Sequence, residues 1–204
     1  MPHAVPTPPS HNPVLIEVTR GPLVECRHRG VVAVADAFGS IVLELGEVHA
    51  PVFPRSAIKP LQALAVLETG AAHRYGFQDR HIALAAASHS GTRAHVEAAA
   101  EMLASAGLSE TALHCGTHLP RDEEEQRVLL RANAKPGPLH HNCSGKHAAM
   151  LATAKHMGEP IESYERSSNP VQIRIRFVFG TITMRLKQIE LPPPLAPQAP
   201  QAPA

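Results

Sequence analysis

The chain has 204 residues, 44% of them apolar and 3% aromatic, with no Trp and a formal charge of +1. That supports one sizeable core built from Ala, Val, Leu and Ile. It excludes a nucleic-acid binder that relies on basic excess or aromatic stacking, and no apolar run approaches the ~18 residues of a membrane span.

Residues 1–12 form a loose Pro-rich lead. The opening "MPHAVPTPPSHNP" holds no apolar signal core, so the chain is expected to be cytoplasmic. From Val14 to Leu45 the sequence reads as short β-branched strands: "VLIEV", "LVECR", "VVAVAD" and "SIVLEL". The "DAFGS" stretch between the last two predicts a hairpin.

A helical run follows. "PLQALAVLET" (60–69) is an apolar helix stopped by Gly70, and "DRHIALAAAS" (79–88) reads as a buried helix running into a "SHSG" loop. "TRAHVEAAAEMLASAG" (92–107) has a Thr start and a Gly stop. "EEEQRVLLRAN" (123–133) carries acids at its front end, which suits the helix dipole. "SGKHAAMLATAKHMG" (144–158) predicts a helix capped by Ser144 and ended by Gly158. After Gln172 the alternation of "IRIRFVFGTITMRLKQIEL" reads as strand, and the Pro/Ala/Gln-rich tail cannot bury apolar surface. The expected fold class is α+β, helices packed on a mainly antiparallel sheet.

"FPRSAIKPLQAL" (53–64) places Ser56 and Lys59 three apart, on one side of a helical turn. A Ser hydroxyl needs a base to become a nucleophile. Lys serves as that base only when neutral, which requires a fall of roughly 3 units from ~10.4, driven by burial or a nearby cation. Pro60 disfavours the α region at Lys59, so a tight 3₁₀-like turn over 56–59 is expected, with the regular helix starting nearer Pro60. Ser-x-x-Lys also arises by chance, and Ser is a common N-cap. On spacing alone, a cap with a solvated Lys is the better reading.

Other constellations are denser. In "HHNCSGKH" (140–147), Cys143 sits just before a helix N-terminus, which lowers a thiol pKa, and Lys146 can converge on it. "HCGTH" (114–118) adds Cys115 and His118. Cys115-x2-His118 with Cys143-x3-His147 resembles metal-ligand spacing, although on these residues a buried Cys115 with no ligand role is the better reading. Three Cys (Cys26, Cys115, Cys143) argue against a disulfide framework.

Taken in order, "NPVLIEVTRGPLVECRHRG", "FPRSAIKPLQAL", "ALAAASHSG", "HCGTHLP", "HHNCSGKHAAML" and "SSNPVQ" closely resemble the asparaginase II family, the rhizobial-type L-asparaginases, over residues 11–172. The resemblance implies a fold similar to serine β-lactamases and glutaminases. It also implies hydrolysis of L-asparagine to L-aspartate and ammonia, and a homodimer. It further implies two Ser-Lys pairs near a zinc site built from two Cys and a Lys. Carried onto this chain, the first pair is Ser56 with Lys59, the second pair's Ser is Ser88, two zinc ligands are Cys143 and Lys146, and Arg55 is a substrate-pocket residue. The third zinc ligand and the second catalytic Lys of the family lie later than "SNPVQ". This chain has no Cys after Cys143, and its Lys beyond Lys146 are Lys155 and Lys187. A truncated or frame-shifted product with weak turnover and loosely held zinc is therefore expected. The alternatives are an inactive remnant, or a zinc-binding structural module using Cys115, His118, Cys143 and His147.

Overall fold

The computed structural model describes residues 12–177. The Pro-rich lead and the segment after Phe177, Lys187 included, lie outside them. The described chain divides into a unit ending at Phe53 and one beginning at Pro54.

The first unit is made of two hairpins. β1 (Val14–Arg20) pairs antiparallel with β2 (Leu23–Arg29), and β3 (Val32–Ala35) with β4 (Ile41–Leu45). Each pair is its own two-stranded sheet, where the sequence pattern predicts a single one. Short turns pair each strand with its neighbour in sequence, and no ladder joins the hairpins among the described residues. The 36–40 turn forms as expected. Asp36 Oδ1 accepts from the backbone N–H of Phe38 (2.9 Å) and Ser40 (2.8 Å), and Gly39 supplies the positive φ. Asn12 ties the unit together by accepting from the Glu47 N–H at 3.0 Å.

The second unit is helical: α1 (Lys59–Glu68), α2 (Ala71–Arg74), α3 (Asp79–Ala86), α4 (Arg93–Ser105), α5 (Glu123–Arg131), α6 (Ser144–Met157) and α7 (170–177). With the hairpins, this makes the fold α+β. α6 is the central element and packs against α1, α2, α3 and α4. Every residue from Ala148 to Ala154 is buried, as expected of a helix apolar on all sides. Gly145 lets α3 approach closely: a Cβ there would lie 2.5 Å from Leu84 Cγ and 2.7 Å from the Leu84 carbonyl oxygen.

Two expectations are corrected. Cys143, not Ser144, is the N-cap residue of α6, and it makes no side-chain cap. Ser144 is the first helical residue, fully buried, and its hydroxyl donates to the Leu139 carbonyl instead. The segment from Ile173 to Phe177, read as strand, is helical. Asn169 starts that helix by accepting from the Val171 N–H at 3.0 Å. Val171 and Ile175, four apart, then reach the core together. The motif "SSNPVQ" thus builds a helix start.

Candidate active site

A 3₁₀ turn over Arg55–Ile58 leads directly into α1, whose first residue is Lys59. The expected tight turn is present. Lys59 nevertheless takes α angles (φ −58°, ψ −38°) despite the following Pro60, and its side chain turns inward. Only 2% of Lys59 is exposed. Its Nζ donates to the Ala87 carbonyl at 2.8 Å and to Ser88 Oγ at 2.6 Å. Ser88 lies just past the end of α3 and is itself exposed, between half-buried Ala87 and buried His89. No side-chain hydrogen bond joins Ser56 to Lys59 among the described residues.

Arg55, Ser56, Lys59, Gln62, Cys143 and Lys146 line one cleft of about 300 Å³. The residues carried over from the family resemblance therefore meet here, either on the cleft or, for Ser88, at the Lys59 amine, whereas Cys115, His118 and His147 do not line it. The surprise lies in the pairing. Ser88, expected to lack a lysine, is the hydroxyl that Lys59 reaches. Arg55 adopts φ +49°, a left-handed conformation that costs a non-glycine residue on the order of 1 kcal/mol and sets the backbone immediately before Ser56.

Burial holds the Lys146 ammonium below its ordinary range, and the Lys59 charge adds to this, against an opposing pull from Cys143. Burial likewise pushes the Cys115 thiol up, and Cys115 Sγ donates to the Pro138 carbonyl at 3.6 Å. His147 falls to about 3, chiefly by burial with Lys146 adding repulsion. Its Nδ1 accepts from the Tyr164 hydroxyl at 2.7 Å, and that hydroxyl accepts the His114 N–H at 2.8 Å. His118 has both ring nitrogens engaged: Nδ1 donates to the Leu119 carbonyl at 2.6 Å and Nε2 accepts the Asn142 N–H at 3.1 Å.

The donors fit zinc in part. A thiol and an amine disfavoured as ammonium face one cleft, and both are suitable ligands once deprotonated. Among the described residues, no three His, Cys, Asp or Glu side chains converge as a metal group, so Cys115, His118, Cys143 and His147 do not assemble into the four-ligand set their spacing resembles.

His89 escaped the sequence reading. It is buried, lies beside Ser88 and bonds Ser144. Its only signal is its place inside "SHSG". Gln62, on the cleft one turn along from Lys59, left no signal at all.

The cleft thus sets a buried lysine, bonded to Ser88, beside an exposed serine, a thiol and a second amine. The family model for L-asparaginase II matches residues 16–191, which makes the chain an asparaginase-type amidohydrolase by class. It belongs to the L-asparaginase II family. The match runs past Gln172. No curated protein matches the chain.

Proposed function

We propose that the chain hydrolyses L-asparagine to L-aspartate and ammonia, with Lys59 as the base that activates a serine. The observation that carries this is the 2.6 Å contact between Lys59 Nζ and Ser88 Oγ, within reach for direct proton transfer. Acting through its amine lone pair, Lys59 takes the Oγ proton as Oγ bonds to the side-chain amide carbon. Lys59 then returns that proton to the leaving nitrogen as the C–N bond breaks, giving ammonia and an acyl-serine ester. Water attacks the ester with Lys59 again accepting a proton. The C–O bond breaks, the proton returns to Oγ, and aspartate leaves. The Ala87 carbonyl orients the amine throughout.

Arg55 lines the cleft and would hold the substrate carboxylate, for which a guanidinium is well shaped. Cys143 and Lys146 are the residues that would hold zinc, which when bound supplies Lewis-acid polarisation of the amide carbonyl. Ser56 opens on the cleft itself, and this favours a second reading in which Ser56 attacks while Ser88 relays its proton to Lys59.

Ammonia release from L-asparagine by the purified chain is the test. Lys59→Ala should abolish it under either reading. Trapping the acyl-enzyme and locating it by peptide mass separates the two: an adduct on Ser88 supports the first, an adduct on Ser56 the second. A wild-type chain that releases no ammonia with zinc supplied overturns both.

A further inference from the structure

His89 is 4% exposed and holds the Ser88 turn by bonds whose hydrogens are all determined by their partners. Nδ1 accepts the Gly91 N–H at 3.2 Å, so the ring proton sits on Nε2. Nε2 lies 2.9 Å from Ser144 Oγ and donates to it. Ser144 Oγ passes its own proton to the Leu139 carbonyl at 2.9 Å. The His89 N–H donates to the Asn142 carbonyl at 3.2 Å, and the ring stacks on His95 with centroids 5.0 Å apart. On the far side, the Ser90 carbonyl accepts the Arg121 and Asp122 N–H groups at 2.7 and 3.0 Å. Gly91 packs so closely that a Cβ would lie 2.7 Å from Pro120 Cβ.

Ser144 is the first residue of α6, between Cys143 and Lys146. The His89–Ser144 bond therefore joins the turn that presents Ser88 to the turn that presents the other side of the cleft. We propose that His89 is the positioning residue for Ser88: through Ser144 it fixes Ser88 Oγ against Lys59 and sets that pair's distance from Cys143 and Lys146. This rests on the reading of Ser88 and Lys59 as a reactive pair. His89 touches neither substrate nor the reacting atoms. Its loss lets the turn drift, and misplacement by about 1 Å costs on the order of 100-fold in the chemical step while leaving substrate binding nearly intact.

The test follows two rates: phosphonylation of Ser88 by a fluorophosphonate, located by peptide mass, and asparagine hydrolysis. His89→Ala is expected to slow both by about 100-fold, with KM within about 2-fold of wild type. In His89→Gln the amide NH₂ replaces Nε2–H and keeps the Ser144 bond, so the rates should return to within about 10-fold of wild type. Ser144→Ala breaks the same bond from the other end. It should slow Ser88 without adding to His89→Ala in the double variant, and it carries the test if His89→Ala does not fold. Unchanged Ser88 reactivity in His89→Ala or Ser144→Ala overturns the proposal, and so does a Gln variant as slow as the Ala variant, which would make the ring a packing element only. A wild-type chain with neither Ser88 labelling nor ammonia release is a different outcome: it sinks the Ser88–Lys59 pair and this inference with it.

Discussion

Lys59 is useful because of what surrounds its amine. The buried amine donates to a carbonyl on one side and to a hydroxyl on the other, and among the described residues no carboxylate pairs with it. A guanidinium in the same place keeps the positive charge and the donors but has no lone pair to offer. Lys59→Arg is therefore expected to lose as much turnover as Lys59→Ala, roughly 100-fold or more, and because a guanidinium overfills this buried site, turnover is compared at a temperature where circular dichroism shows the variant folded. Turnover retained in the Arg variant would show that Lys59 acts by charge alone. The resemblance pairs Lys59 with Ser56, and the structure adds a contact from Lys59 to Ser88. The 3₁₀ turn points Ser56 outward while Lys59, entering α1, points inward to a serine 29 residues away. A three-residue spacing carries no information about that contact.

At the scale of elements, α6 determines whether the cleft exists. It brings Cys143 and Lys146 to one side, receives the His89 bond at its first turn, and fills the core along its length. At Gly145 the α3–α6 contact leaves no room for a Cβ. Gly145→Ala gains helix propensity but drives a methyl into Leu84, and overpacking of this kind costs about 1–3 kcal/mol. A lowered denaturation midpoint with a further loss of asparagine hydrolysis is expected; a variant as stable as wild type would mean that α3 and α6 part without cost. The one-turn α2 is too short to show a period, while five of the helices, α1, α3, α4, α5 and α6, were legible from apolar runs, end residues and charge. α7 was not, because Ile173, Ile175 and Phe177 alternate like a strand while the helical evidence is one pair, Val171 with Ile175, and an Asn-Pro start that is short to read.

Across the whole molecule, buried imidazoles tie stability to pH. His89 is lowered to about 4, first by burial and then by His95, Lys59, His141 and His118, and His147 to about 3. Unfolded, each ring titrates near 6.5. Between these values the unfolded chain binds protons that the folded chain refuses, so stability falls as pH drops. The expected slope is roughly 1.4 kcal/mol per pH unit for each ring below pH 6.5. Thermal unfolding between pH 7 and 5 measures it, and His89→Gln should flatten the curve by one ring's share; an unchanged curve would place His89 in water. The family and α+β class were legible because ordered motifs and periodicity survive in one dimension. The polar contacts that join distant turns, such as His89 with Ser144, do not.

Arg55 leaves a consequence for engineering. At φ +49°, glycine is the residue the backbone prefers, so Arg55→Gly should raise the melting temperature by relieving about 1 kcal/mol of strain. It should also raise KM for asparagine by removing the cation at the cleft. If Arg55 holds the substrate carboxylate, a selection for thermal tolerance alone would trade away recognition at this position.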